Sequence, residues 1–404
     1  MLMEDEMRTR IEALAAIIDI AAPMAPEAVS LGAAHGRVLA VPIHARITQP
    51  PAAVSAMDGY AVRQCDANLG NSLRVIGEAP AGRPFTGALG LGEAVRIFTG
   101  SVVPRGADHV VIQEDTMRDG DQITVTASQP EPSNIRAAGI DFREGDLLLP
   151  AGRLLGAAEL AIAAAANHAE VRAYPRPRIA VMANGDELRP PGSALAEGEI
   201  ICSTPFALEA LITSWGGEFV DLGIAPDDPA AIRARIQAAD GVDVIIPLGG
   251  ASVGDHDHMQ AAFAEEGLEP VFSKVKLKPG KPTWFGKLHN TYVLGLPGNP
   301  ASALVCAQLF LKPLIWQLTG RAGNDALVWR RARLTGPLEP PGSRETFLRG
   351  AAETEKDGRL TCTPAINQDS SLLRPFLTAD LLIHRPANAP AAPEGSIVDC
   401  LMIR

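Results

Sequence analysis

The stretch Val242-Asp243-Val244-Ile245-Ile246-Pro247-Leu248-Gly249-Gly250-Ala251-Ser252-Val253-Gly254-Asp255-His256-Asp257-His258-Met259 decides how this chain is read. Val242 to Ile246 is a short β-branched run that reads as a buried strand, and the residues after it, up to Gly267, have helical spacing. Between them lies a connection that concentrates glycines, aspartates and histidines. The flanking sequence repeats the alternation. Ile179 to Met182 reads as a strand, Phe206 to Trp215 as a helix, Phe219 to Leu222 as a strand and Pro229 to Ala239 as a helix. Tyr292 to Leu294 again reads as a strand and Ala301 to Leu318 as a helix. This pattern predicts a parallel sheet covered by helices.

The remainder of the chain has a different character. Residues 1 to about 45 read as helical, with Ile11, Leu14, Ile17 and Ile18 forming a stripe before Pro23. Residues 46 to 136 carry frequent Gly and Pro with short alternating segments, so a β-rich domain is expected there. Ala157 to Asn167 returns to an Ala-rich helix, and the chain beyond Asn324 becomes strand-like. The expected division is a helical linker domain from 1–45 and 137–177, an inserted β-rich domain at 46–136, an α/β domain at 178–324 and a C-terminal β domain at 325–404.

Composition limits the function. The 404 residues are 47% hydrophobic and 21% charged, with a formal net charge of -11. That balance argues against an extended nucleic-acid surface and leaves room for a phosphate-bearing partner only in a local basic pocket. The five cysteines (Cys65, Cys202, Cys306, Cys362, Cys400) contain no C-x-x-C pair, so neither a disulfide framework nor a cysteine zinc site is indicated. A reducing cytoplasm is the expected location. Glu4, Asp5 and Glu6 stand where a secretory signal would be basic. The apolar run from Leu154 to Ala166 is interrupted by Glu159 and is shorter than the ~20 residues needed to cross a bilayer, so no membrane partner is expected.

Ligands of open α/β sheets bind beyond the carboxyl ends of the strands. At those ends stand Asn184-Gly185-Asp186-Glu187-Leu188, Pro226-Asp227-Asp228-Pro229, the opening stretch, and Leu296-Pro297-Gly298-Asn299-Pro300-Ala301-Ser302. Glycine-rich helix starts beside carboxylates suit a phosphate or pyrophosphate with magnesium. The competing reading is that Asp255, and Asp227 or Asp228, merely cap helices. His256 and His258 lack the H-x-x-x-H spacing of a zinc site. Lys274, Lys276 and Lys278 fall on one face of a strand, either as an anion-binding stripe or as an edge guarded by lysines.

The sequence resembles the molybdopterin molybdenumtransferases, the group of MoeA and the gephyrin E domain. The resemblance rests on Ser55-Ala56-Met57-Asp58-Gly59-Tyr60-Ala61-Val62, Ile97-Phe98-Thr99-Gly100, Gly185-Asp186-Glu187-Leu188, Asp227-Asp228-Pro229, Gly249 to Asp257, Lys278-Pro279-Gly280-Lys281-Pro282 with Phe285-Gly286, and Leu296-Pro297-Gly298-Asn299-Pro300. It implies a helical linker domain with an inserted β-rich domain, an α/β molybdopterin-binding domain with a parallel sheet, and a C-terminal β-barrel. It also implies a homodimer in which the inserted domain of one subunit helps to complete the other's site. The implied reaction is magnesium-dependent cleavage of adenylylated molybdopterin, with release of AMP and ligation of molybdate.

By the same resemblance, Glu187, Asp227 and Asp257 serve magnesium and adenylate cleavage, with Asp58 and Thr99 contributed by the inserted domain. Gly249, Gly250, Ser252 and Gly254 form the backbone cradle. Lys274, Lys278 and Lys281 hold phosphate or molybdate; Pro297, Gly298, Asn299 and Pro300 shape the pterin loop; Arg349 and Ser370 complete the anion site. Implied partners are the molybdopterin adenylyltransferase and a recipient molybdoenzyme. The sequence departs from the family's pattern at Cys202-Ser203-Thr204, where D-S-N or D-T-N is usual, and at Pro247-Leu248, where small hydroxyl residues are favoured. It departs again at Ala183-Asn184 and at Asp369, which adds negative charge beside Ser370. These changes keep the acidic set but alter the grip on the ligand, so a divergent paralogue that binds molybdopterin or the finished molybdenum cofactor without insertion, as a carrier, is the alternative. A nucleotide-dependent dehydrogenase is disfavoured, because no G-x-G-x-x-G follows the Ile179 strand.

Overall fold

Thr9 opens the first helix through a reciprocal cap: its hydroxyl accepts from the Glu12 N–H at 3.2 Å, while the Glu12 carboxylate accepts from the Thr9 N–H at 2.8 Å. The computed structural model describes residues 7–129, 133–249 and 258–404. Among these, the α-helices are α1 (Arg10–Ile20), α2 (Ala157–Ala165), α3 (Thr204–Ser214), α4 (Pro229–Ala238), α5 (His258–Glu265), α6 (Pro300–Cys306) and α7 (Lys312–Leu318). The expectation of a helical segment from 1 to 45 is corrected: α1 ends at Ile20, and short strands follow at Glu27–Ser30 and Ile43–His44. Pro23 and Pro26 explain the stop, since neither supplies the N–H that another helical turn requires.

The chain divides into two compact units, one of residues 1–27, 36–40 and 173–404, the other of 28–35 and 41–172. The second holds a six-stranded sheet in the order His109–Ile112, Gly59–Val62, Glu93–Ile97, Ser72–Ala79, Gln122–Val125, Thr116–Asp119. Tyr60, Val62 and Val111 pack into one apolar cluster, whereas Ala61, Val95 and Val110 pack into another, as the period of two requires.

The first unit is built on a six-stranded sheet in the order Glu218–Ala225, Arg178–Asn184, Val244–Leu248, Thr291–Gly295, Trp284–Leu288, Leu268–Phe272. The first four strands run parallel, while the last two pair antiparallel, so the sheet is mixed where a parallel one was expected. Those two edge strands were missed because Pro270 and Gly286 interrupt their β pattern. Ile179, Val181, Val244 and Ile246 join one core with Leu208 and Ile212 of α3 and with α6 and α7. Ala180, Met182 and Ile245 join the other with Ile232 and Ile236 of α4 and Met259 and Phe263 of α5. From Arg178–Asn184 the chain steps to one side through α3, then crosses to the other side through α4. The strand order therefore reverses between Arg178–Asn184 and Val244–Leu248, which is the switch point of a doubly wound sheet.

Pro300 to Leu318 forms one 19-residue helical run, with a π-type turn at Ala307–Leu311 just before Pro313. It is long and apolar enough to cross a membrane, yet 83% of it is buried inside the protein, so core packing accounts for its composition. Beyond it, Trp329–Leu334, Leu360–Pro364, Glu345–Thr354, Leu381–Arg385 and Ile397–Met402 close into a five-stranded barrel.

One nearly buried charge cluster ties α1 to this barrel. The Arg10 guanidinium donates to Glu345 at 2.9 Å, His384 Nε2 meets the same carboxylate at 2.7 Å, and Arg10 lies over the Trp329 and Phe347 rings. Burial opposes ionisation of Glu345, but the His384 hydrogen bond and the Arg10 charge outweigh it and hold the carboxyl below its usual range. Glu345→Gln is expected to cost about 3 kcal/mol in a denaturant titration near neutral pH, because it strands Arg10 without its anion. A depressed native pKa contributes stability above the unfolded value of about 4.3 and loses it as pH falls through the native value. The gap between wild type and variant should therefore close in acid.

Candidate functional site

At the switch point lies a cavity of about 780 Å³, and all of its lining belongs to the first unit. Four strand ends supply it: Ala183 to Gly185 with Glu187 and Leu188, Asp227, Leu248 with Gly249, and Pro297 to Pro300. Its floor is a backbone contact. Gly249 has a φ of +86°, and a Cβ there would stand 3.1 Å from the Asn184 carbonyl oxygen, while a Cβ on Gly298 would stand 3.2 Å from the Gly249 Cα, so a side chain at either position is crowded by backbone.

The acidic side is held by hydrogen bonds that run between loops. Asn184, 7% exposed, donates its amide to the carbonyls of Ala225 and Pro226 at 3.2 and 3.0 Å. The Asp227 N–H donates to the Asp186 carboxylate at 3.1 Å, and the Asp186 N–H approaches Asp227 Oδ2 at 3.4 Å. Asp228, not Asp227, caps α4, accepting from the Ala231 N–H at 2.8 Å. Between these two aspartates the cap is Asp228, and Asp227 and Glu187 both line the cavity.

Two helices begin at the cavity. Ser203 and Thr204 line it at the start of α3, where no side chain caps the first turn. At the start of α6, the Asn299 amide donates to the Ser370 hydroxyl at 3.0 Å, while the Ala301 N–H donates to the Ser370 carbonyl at 3.0 Å. Ser370 therefore braces the Pro297 to Pro300 loop, and of these two neighbouring serines it is Ser371 that lines the cavity. Arg349, 3% exposed, spends its guanidinium on the carbonyls of Asp369 and Leu372 and on the Gln368 side chain, and it lies outside the lining. Asp369 turns its carboxylate to the Ser371 hydroxyl and N–H at 2.6 and 2.8 Å. Those two bonds, with the Arg349 charge behind them, hold its carboxyl below the usual range.

The expected lysine stripe alternates as predicted, with Val275 and Leu277 buried between Lys274, Lys276 and the exposed Lys278. Leu277 and Lys278 pair with Glu345 and Thr346 of the barrel. Lys274, Lys278 and Lys281 all lie outside the cavity lining, which Pro282 reaches. Gly250, Ser252, Gly254 and Asp257, with Asp255 and His256, fall outside the described residues. No group of three His, Cys, Asp or Glu able to hold a metal occurs among the described residues. Glu187 and Asp227 both line the cavity, and a hydrated magnesium ion commonly takes one or two carboxylates and completes its shell with water and phosphate. Asp58 and Thr99 stand in the second unit, where Asp58 Oδ1 accepts from the Thr99 N–H at 2.7 Å and from its hydroxyl at 2.9 Å.

The departures at Cys202 and Leu248 face the cavity too. Burial raises the Cys202 thiol, and the Asp221 and Glu187 charges raise it further. Sequence reasoning missed Asn184 as a clamp, as well as Ser371 and the apolar wall of Ile200, Ile201 and Leu373. Only Asn184 left a signal, a polar residue ending an apolar strand.

A doubly wound domain with an acidic, glycine-floored cavity, followed by a small barrel, defines the class of protein. The MoeA N-terminal region (domain I and II) matches residues 6–167, the probable molybdopterin binding domain matches 180–317, and the MoeA C-terminal region (domain IV) matches 331–403. A molybdopterin molybdenumtransferase of Nostoc sp. is 38% identical over 80% of this chain and 77% of its own length. One from Haemophilus influenzae is 35% identical over 89% of this chain and 90% of its own. A crystal structure of a molybdopterin biosynthesis MoeA protein from Pyrococcus horikosii superposes with a TM-score of 0.83 at 29% identity, covering 99% of this chain and 100% of that one. The chain belongs to the molybdopterin molybdenumtransferase (MoeA) family, a family of molybdenum cofactor biosynthesis.

Asn184→Ala should lower stability by about 2 kcal/mol, since two carbonyls lose a buried donor, and should speed hydrogen exchange around Asp227. In the native protein, iodoacetamide at neutral pH should label the exposed Cys65 and spare the buried Cys202, as read by mass spectrometry.

Proposed function

We propose that the chain is a molybdopterin molybdenumtransferase that binds adenylylated molybdopterin and molybdate and releases AMP in a magnesium-dependent reaction. The observation that carries this reading is the cavity at the sheet's switch point, where Glu187 and Asp227 stand beside the starts of α3 and α6. Backbone N–H groups at such helix starts attract phosphate. Glu187 and Asp227, with Asp257, would hold magnesium, which when bound neutralises charge on the phosphates. Gly249, Gly250, Ser252 and Gly254 cradle the anion, while Pro297, Gly298, Asn299 and Pro300 shape the pterin side. Lys274, Lys278 and Lys281 attract molybdate to the cavity's edge. Arg349 and Ser370 serve the site through the loops they brace.

The same reading assigns Asp58 and Thr99 to the active site of a homodimer and keeps the four-domain division at 46, 137, 178 and 325. It places the protein in the cytoplasm between a molybdopterin adenylyltransferase and a recipient molybdoenzyme. A second reading, carriage of molybdopterin without insertion, draws on Cys202 and Leu248 in the cavity wall, where the thiol is protonated and the leucine offers no hydrogen bond.

Purified protein given adenylylated molybdopterin, magnesium and molybdate should release AMP and form active cofactor. Asp227→Asn should lower turnover about 100-fold while leaving pterin binding within a few-fold. Tight pterin binding with no AMP release by the wild type would replace this reading with the carrier.

A further inference from the structure

In the second unit, Arg96 reaches across the strand that begins just after Asp58. Its guanidinium donates through Nη1 to the Gly59 carbonyl at 3.2 Å and through Nη2 to Gln113 Oε1 at 2.7 Å. The Gln113 N–H in turn donates to the Asp58 carbonyl at 3.0 Å. The guanidinium carbon lies 5.1 Å from the Tyr60 ring centre and 4.9 Å from that of Phe98, so two aromatic rings steady the fork. Gly59 has no room for a side chain of its own, because a Cβ there would run into the Val111 carbonyl. Both carbonyls of the Asp58-Gly59 pair are thereby held by the Arg96–Gln113 lace, while Thr99 holds the carboxylate.

We propose that Arg96 is a positioning residue: by gripping the Gly59 carbonyl and the Gln113 side chain together, it holds the Asp58 carboxylate in the one orientation the reaction uses. This rests on the reading of Asp58 as part of the active site. Asp58, Thr99 and Gln113 are all exposed, so the lace ends at the surface and serves a group that faces outward. The two Thr99 hydrogen bonds hold the Asp58 carboxyl below its usual range, with the Arg96 charge adding to them, so Asp58 is presented as an anion. A lysine carries the same charge but cannot span two acceptors with one planar fork.

The test uses the full-length protein in the AMP-release assay. Arg96→Met is expected to lower kcat about tenfold or more with KM for the pterin substrate within about twofold, because misplacing a reacting group weakens turnover more than binding. Arg96→Lys should fail to restore kcat. Asp58→Asn should be nearly inactive, and Arg96→Met added to it should cost nothing further, since the two residues act as one. An equal loss from Arg96→Met in both backgrounds, or an unchanged kcat, would overturn the positioning role while leaving Asp58 in place. Full activity in Asp58→Asn would instead sink the reading of Asp58 and this proposal with it. Should Arg96→Met fold poorly, Arg96→Lys decides alone: wild-type kcat overturns the proposal, and reduced kcat with unchanged KM supports it.

Discussion

The arrangement of the first unit depends on a sheet buried on both faces. Backbone groups taken out of water must pair, and the parallel strands Arg178–Asn184 and Val244–Leu248 pair theirs with neighbours while α3, α6 and α7 cover one face and α4 and α5 the other. With both faces of the sheet covered, the cavity lies at the strand ends. The order reverses between those two strands, so the chain departs in opposite directions and leaves a gap. The cavity is that gap, lined by Gly249 and Gly298 where their backbones come close.

The polar groups around the cavity divide into those that hold and those that are held. Asn184, Asp228, Ser370 and Arg349 direct their hydrogen bonds to backbone or to loop side chains, fixing the geometry. Glu187, Asp227, Ser203 and Ser371 are left facing the opening. The barrel contributes through the Arg349 loop and through its strand Glu345–Thr354, beside which Leu277–Lys278 pairs in parallel. Arg10 and Glu345 join the N-terminal helix to the same barrel.

Much of this was legible in the sequence where the signal is local. The β-branched runs at Ile179 and Val244 and the helical spacing after Phe206 and Pro229 were read correctly, because burial imposes periods of 2 and 3.6 on apolar side chains. The helix over 1–45 was overread, since Pro23 and Pro26 outweigh an apolar stripe, and the antiparallel edge was missed where Pro270 and Gly286 break the pattern. At the strand ends, Glu187, Asp227 and Gly249, which the sequence singles out, line one cavity. Arg349 and Ser370, expected to complete the anion site, meet carbonyls and an amide on loops that only folding brings close.

By itself, the sequence determined the alternation of strands and helices, the family and the rim loops that carry the carboxylates and glycines, because each is written in short-range periodicity or in a contiguous motif. Only the tertiary structure decided which aspartate caps a helix and which faces the cavity, that Asn184 clamps a neighbouring strand end, and that Arg349 is consumed by backbone. Those outcomes depend on which backbone groups arrive within about 3 Å of each side chain, and a hydrogen bond of that length is set by how separate loops converge in space.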